Sequence, residues 1–110
     1  MEITSREYKR VHVMRVAGRV DAKTAPQFEE ALHLQISSGT MHIVVEMDGT
    51  EFLSSAGVRA LINAQKALKS KGGRVIIAQP SQRIREVIQI SGMEALFPIY
   101  DDTVAAVGSV

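Results

Sequence analysis

The chain has 110 residues, contains no cysteine and no tryptophan, and carries a formal net charge of +1. The lack of cysteine excludes disulfides, thiolate zinc sites, iron–sulfur clusters and cysteine nucleophiles, and the charge balance argues against a dedicated nucleic-acid binder. No apolar run approaches the roughly 20 residues that a membrane-spanning helix needs, and the first residues lack a signal-peptide pattern. We therefore expect one cytoplasmic domain over residues 1–110, with no membrane insertion.

Two strands and a helix are predicted in the first third of the chain. Partial alternation of apolar residues predicts a strand over 11–17, and a weaker pattern predicts a second strand over 3–10, paired with it as a hairpin. Thr24 is expected to cap a helix, and Pro26 fits the first turn because proline there sacrifices no hydrogen bond. Apolar residues then follow at helical spacing from Phe28 onward.

Two buried strands frame a helix in the middle of the chain. Short apolar runs over 42–47 and 74–78 predict strands that helices cover on both faces. Between them, a tight turn after the first strand leads to an amphipathic helix that opens at Ser54-Ser55 and ends at Gly72-Gly73. Units of this kind place parallel strands side by side with right-handed crossovers.

A third and a fourth helix complete the predicted fold. Ser81 is expected to cap the third helix, and Gly92 to end it. A short segment around residues 97–100 follows, and Asp101-Asp102 begins a last helix over 103–107. The order of elements predicts an α/β fold, with a mixed sheet of four to five strands covered by about four α-helices.

The segment over 46–61 carries the functional signal. It brings Ser54 and Ser55 to a helix N-terminus, where free N–H groups and a positive partial charge favour an attached phosphate. Ala56 and Gly57 lack bulk, so a partner or a nucleotide phosphate could approach the backbone closely. A serine before a helix is also a common cap, and that structural role stays open for both serines.

Three parts of the chain, in the same order and spacing, resemble the motifs of STAS domains, and of bacterial anti-sigma factor antagonists in particular. The family signature is similar to Phe52-Leu53-Ser54-Ser55-Ala56-Gly57-Val58, followed by an amphipathic helix and Gly72-Gly73-Arg74-Val75. The motif after the second family strand resembles residues 17–21, and the late helix end resembles residues 90–97. The resemblance covers nearly the whole chain and implies a STAS-type fold.

The resemblance also implies a phosphorylation site. In the family, a kinase modifies the serine that follows an aspartate in the signature, and the alignment of Gly57 with the family glycine places that serine at Ser55. The chain departs from the usual pattern because Ser54 stands at the aspartate position, which makes Ser54 a rival acceptor. The partner-binding residues implied by the resemblance are Asp21, Ser54, Ser55, Ala56, Gly57, Val58 and Arg59. The alternative role of Asp21 is to cap the first helix or its turn.

Partner switching, without catalysis, is the function that the resemblance implies. The unphosphorylated domain would bind an anti-sigma factor with serine kinase activity and so release the sigma factor. Phosphorylation at Ser55 would end this binding, and a serine phosphatase would restore it. No cofactor and no metal is expected, since His12, His33 and His42 have no metal-ligand spacing.

Two alternatives remain open from the sequence. One is a STAS docking subunit of another assembly, such as a lipid-transport ABC complex or a signalling particle, without a phosphorylation switch. The other is a small enzyme or ligand-binding protein on a similar frame. That second alternative requires a pocket with convergent titratable groups, and the sequence offers none.

Overall fold

The computed structural model describes all 110 residues and arranges them as one six-stranded mixed sheet with four α-helices. The strands are β1 (Glu2–Tyr8), β2 (Val11–Val20), β3 (His42–Glu46), β4 (Thr50–Leu53), β5 (Arg74–Ala78) and β6 (Ile99–Tyr100). The helices are α1 (Ala25–Ser37), α2 (Ser55–Lys69), α3 (Gln82–Ser91) and α4 (Thr103–Gly108), with a short 3₁₀ helix at Met93–Ala95. The predicted α/β fold class is confirmed, and the strand count rises to six.

The long strand β2 organises the sheet by pairing with three neighbours. The strand order is β1-β2-β3-β5-β6, and β4 pairs with the last part of β2. β1 and β2 form an antiparallel hairpin, whereas all other pairs are parallel. Residues 11–15 of β2 pair with β3, residues 18–20 pair with β4, and the register shifts between Gly18 and Arg19. Because β4 leads into α2, this change of partner places the last residues of β2 beside the start of α2.

Helices cover the two faces of the sheet unequally. α1, α2 and α3 pack on one face, where 21 buried apolar residues form the main core. α4 covers part of the other face with Ala106 and Val107, in a smaller cluster of seven buried residues. The central strands β3 and β5 are buried almost throughout, as their near-continuous apolar sequences predict. None of the helices combines the length and hydropathy needed to cross a bilayer.

The strand β4 is the main feature that the sequence analysis missed. We predicted a tight turn between β3 and α2, but Thr50–Leu53 pair with β2. The hydroxyl of Thr50 donates to the carbonyl of Val16 at 2.6 Å, and Leu53 is buried in the main core. A four-residue strand is too short to show a clear alternation of apolar residues. Its assignment therefore depends on a partner that lies some 30 residues earlier in the chain.

Three further predictions are wrong at the ends of elements. Thr24 makes no side-chain cap for α1. Its hydroxyl instead accepts from the N–H of Asp21 at 2.9 Å and donates to the carbonyl of Arg19 at 2.9 Å. The strand predicted over 3–10 stops two residues early because Lys9-Arg10 form the hairpin turn, with both φ angles positive. The strand predicted to start after this turn extends three residues further than expected.

Several other helix ends are confirmed, although α2 ends at Lys69, before the predicted Gly72-Gly73. Ser81 and Asp102 cap α3 and α4, and each accepts a hydrogen bond from the backbone N–H three residues later, at 3.4 Å and 2.7 Å. Gly92 follows α3 in the left-handed conformation, with φ at 75°. Pro26 lies in the first turn of α1. These ends depend on a few neighbouring residues, which is why the sequence alone locates them.

Candidate functional site

The two serines of the signature lie where β4 passes into α2. Leu53 ends β4 and pairs with Val20 of β2. The next residue, Ser54, donates its backbone N–H to the carbonyl of Val20 at 2.8 Å. The N-terminus of α2 is therefore anchored to the carboxyl ends of two parallel strands, which gives both serines a defined position.

The two serine side chains have different environments. Ser54 is the N-cap residue, and its Oγ accepts the N–H of Gly57 at 3.3 Å. Ser55 is the first helical residue and is exposed, and its hydroxyl makes no hydrogen bond within the chain. The capping role that the sequence left open for both residues therefore belongs to Ser54. The hydroxyl of Ser55 is free for a partner or a modifying enzyme.

Gly57 allows the first turn of α2 to pack directly on the sheet. A Cβ at this position would lie 2.6 Å from Cδ1 of Leu53 and 2.8 Å from Cγ1 of Val20, closer than real Cβ atoms approach. The expectation that Gly57 lets a partner reach the backbone is wrong, because side chains from inside the domain fill that space. Gly57 instead determines how deeply the end of the helix lies against β2 and β4.

Asp21 lies beside the site and organises the turn from β2 into α1. It follows Val20 directly, just as Ser54 follows the paired residue of β4. Its carboxylate accepts the backbone N–H groups of Lys23 at 3.0 Å and Thr24 at 3.1 Å. The hydrogen bond from the Thr24 backbone is the main reason that the pKa of Asp21 lies below its usual range. Asp21 thus caps the turn that precedes α1 and not the helix itself, and its negative charge is held at the edge of the site.

An arginine–aromatic pair that the sequence analysis missed extends the site along the sheet. Arg19 and Phe52 are register partners on β2 and β4, and the guanidinium carbon lies 4.5 Å from the ring centroid. Phe52 remains 39% exposed, so the pair offers a flat apolar and cationic surface next to the serines. An aromatic residue two positions before the first of the two serines was the only signal available in the sequence.

The remaining predicted residues occupy the first turns of α2. Ala56 and Val58 are half-buried, whereas Arg59 is exposed. Arg59 lies four residues after Ser55, and residues at this spacing are neighbours on one helix face. The structure therefore brings Ser54, Ser55 and Arg59 together at one helix end, with Asp21 at the adjoining strand end.

Comparison with known proteins identifies the family. The sequence model of the family described as STAS domain matches residues 2–106. The chain belongs to the STAS domain family. BtrV of Bordetella bronchiseptica, which bears the name of an anti-sigma factor antagonist, is 27% identical to this STAS chain over 106 residues. That alignment covers 96% of this chain and 91% of BtrV.

Solved structures agree with this assignment. The crystal structure of an anti-sigma factor antagonist from Mycobacterium paratuberculosis has a TM-score of 0.91 and 25% identity, and the match covers 99% of this chain and 92% of that one. The phosphorylated form of the Bacillus cell fate determinant SpoIIAA has a TM-score of 0.71 and 24% identity, with 89% and 90% covered. The similarity to SpoIIAA shows the fold alone. The resemblance found in the sequence motifs is confirmed at the level of the family.

The histidines of the STAS domain lie apart from this site. Nδ1 of His12 is 2.6 Å from Oε1 of Glu7, and Nε2 of His33 is 3.3 Å from Oγ of Ser37. His42 begins β3, at the opposite end of the strands. No group of three or more His, Asp or Glu side chains comes together in a way that could hold a metal ion.

Proposed function

We propose that this STAS domain is an anti-sigma factor antagonist that binds a kinase-type anti-sigma factor through the N-terminal end of α2. In the unmodified state this binding releases the sigma factor. The exposed Ser55 hydroxyl, free of any hydrogen bond in the chain, carries the proposal. BtrV and the mycobacterial protein both bear the name of anti-sigma factor antagonist, which supports an anti-sigma factor as the partner class.

Phosphorylation of Ser55 is the proposed switch. Ser54 is the rival acceptor, but its Oγ accepts the N–H of Gly57 and closes the first turn of α2. A kinase acting on Ser54 would have to break that cap, whereas Ser55 offers its hydroxyl without any rearrangement. SpoIIAA, which has a similar fold, is known in a phosphorylated form, and this supports a phosphorylated state in the present chain.

The phosphate would act through its charge and not by unfolding the helix. It adds about −1.5 to −2 charges at neutral pH, and the N-terminus of a 15-residue helix stabilises such an anion. In a complex, the same dianion would have to lose its hydration, and it would repel acidic groups of the partner. A difference of about 4 kcal/mol weakens binding roughly a thousandfold, which is sufficient for a switch. A serine phosphatase would then restore binding.

The proposed contact surface surrounds Ser55. Arg59 supplies an exposed cation one turn later, and Asp21 supplies a fixed anion at the end of β2. Ser54, Ala56 and Val58 are half-buried residues at the same helix end. Gly57 supports this surface indirectly, because it allows the helix end to lie close to the sheet.

Affinity capture from a lysate of the source cells tests the proposal. Wild type, Ser55→Ala, Ser55→Glu and the matched control Ser54→Ala serve as baits, and retained proteins are identified by mass spectrometry. We expect all baits except Ser55→Glu to retain a kinase-type anti-sigma factor. Equal retention of one partner by all four baits would refute the switch, and it would favour a STAS docking subunit that works without phosphorylation.

A mixture of this chain with the captured kinase and ATP tests the acceptor directly. We expect phosphate on Ser55 in wild type and in Ser54→Ala, and none in Ser55→Ala. Amide resonances of the phosphorylated protein should shift only near the start of α2, because the phosphate stabilises the helix it joins. Phosphate on Ser54, or shifts throughout the main core, would contradict the mechanism.

A further inference from the structure

A second exposed surface lies at the end of the sheet opposite Ser55. The strand β2 starts at this end of the sheet with Val11, and its other end lies beside α2. The molecule measures 28 × 26 × 24 Å. An open concavity of about 510 Å³ separates the β1–β2 turn from α4 and the last residues of the chain. The concavity shares no residue with the site around Ser55. It is therefore available to a different ligand.

Apolar side chains line this concavity and remain exposed. Val104 on α4 is 84% exposed, Tyr8 at the end of β1 is 52% exposed, and Val110 is 45% exposed. Single exposed apolar residues are ordinary on protein surfaces. Here three of them surround one concavity, and the buried Val11 and Val107 also line it, so the apolar part of its lining comes from five side chains.

Two charged side chains line the concavity, and both are cationic. Lys9 and Arg10 lie at its rim, and no acidic side chain lines it. Neither cation forms an ion pair with a carboxylate of the chain. The Nζ atom of Lys9 lies 5.8 Å from the ring centroid of Tyr8, so positive charge and apolar surface are adjacent. An occupant that fits this surface carries negative charge next to apolar groups.

The turn that presents these two cations is strained. Lys9 and Arg10 have φ angles of 50° and 72° in a two-residue hairpin connection. Positive φ at both positions is the geometry that Asn-Gly adopts without strain. A chain that keeps two bulky residues there loses stability, and such strain is concentrated at functional sites. Nδ1 of His42, which lines the same concavity, is also buried without a hydrogen-bond partner.

We propose that this concavity docks a peptide segment of a second protein, in which apolar side chains alternate with carboxylates. The apolar side chains would lie against Val104 and Tyr8, and the carboxylates would pair with Lys9 and Arg10. A membrane fits less well, since two cations raise binding to anionic lipid only about thirtyfold and a concave surface cannot insert into a bilayer. The location implies that the domain can hold this segment and a partner at Ser55 together.

Amide chemical shifts of the full chain test the proposal with three probes. They are a blocked hexapeptide in which leucine and glutamate alternate, the same peptide with lysine for glutamate, and vesicles rich in phosphatidylglycerol. We expect the acidic peptide to shift residues 8–11 and 104–110, with a Kd of about 1 mM or tighter, and to leave Ser54 and Ser55 unchanged. The proposal would be overturned if the acidic peptide left the chemical shifts of these residues unchanged, if the basic peptide bound equally well, or if vesicles shifted the same residues more strongly.

Variants separate a binding role from a purely structural one. The double variant Lys9→Asn/Arg10→Gly removes both cations and relieves the turn, so it should unfold at higher urea concentration and bind the acidic peptide at least tenfold more weakly. Val104→Ser should also weaken binding. The matched control Leu34→Ser, at an exposed position on α1, should not. Because a more stable protein cannot lose binding through unfolding, weaker binding by the double variant would report the loss of the two cations. Unchanged affinity would refute their role.

Discussion

Replacement of Gly57 with alanine tests how α2 is held against the sheet. The new Cβ would lie 2.6 Å from Cδ1 of Leu53 and 2.8 Å from Cγ1 of Val20. Both side chains are buried in the main core, with exposures of 4% and 0%. Close-packed neighbours leave them little room to move aside. The first turn of α2 must therefore rise from the sheet, and Ser55 must move with it.

Two opposing effects determine the size of the loss. Overpacking of a filled core costs about 1–3 kcal/mol, whereas alanine gains about 0.5–1 kcal/mol over glycine within a helix. We expect Gly57→Ala to lower the free energy of unfolding by about 1–2 kcal/mol. Because the helix end moves, affinity for the partner proposed to bind at Ser55 should fall as well.

Urea unfolding followed by circular dichroism measures this change. Gly108→Ala is a matched control, because Gly108 also lies in a helix and a Cβ there would meet nothing within 4 Å. The control should be as stable as wild type or slightly more stable. If Gly57→Ala matched the control, the tight contact of α2 with Val20 and Leu53 would be refuted.

Three further predictions concern stability. Gln65→Leu should cost about 2–4 kcal/mol in urea unfolding, because the buried Gln65 amide exchanges two hydrogen bonds with the Val75 backbone; a loss below about 1 kcal/mol would contradict this. The hydrogen bond from Arg6 holds the pKa of Glu46 below its usual range, so its stabilisation is present above about pH 4.3 and is lost as the pH falls through the lowered value. Urea midpoints should therefore fall more steeply on acidification in wild type than in Glu46→Gln, and parallel curves would count against the ion pair. Ser54→Ala should lose about 1 kcal/mol in thermal unfolding while Ser54→Asp does not, because aspartate also caps helices; equal losses would argue against the cap.

The signature segment illustrates what could be read from the sequence about the site. Its order of residues located both serines at the start of α2, and the resemblance of three motifs indicated the family. The sequence did not decide which serine caps the helix, since both residues are serines at its start and either position is compatible with a cap. Only the folded geometry shows the Oγ of Ser54 facing the N–H of Gly57, with Ser55 left free.

The missed features of the site all depend on residues far apart in the chain. Arg19 and Phe52 are neighbours because β2 changes partner from β3 to β4 at Gly18. The same pairing places Val20 under Gly57 and reverses the expected role of that glycine. No local pattern reports such pairing, because strand register is a property of two segments together.

The sequence by itself determined the alternation of strands and helices, most helix ends and the membership of the STAS family. The elements and their ends follow from hydrophobic periodicity and from capping by adjacent residues, which act over a few positions, whereas the family was indicated by the resemblance of three motifs. The tertiary structure decided the strand β4, the free hydroxyl of Ser55 and the unpaired cations of Lys9 and Arg10. These depend on which distant groups meet, and the packing of the whole sheet settles that.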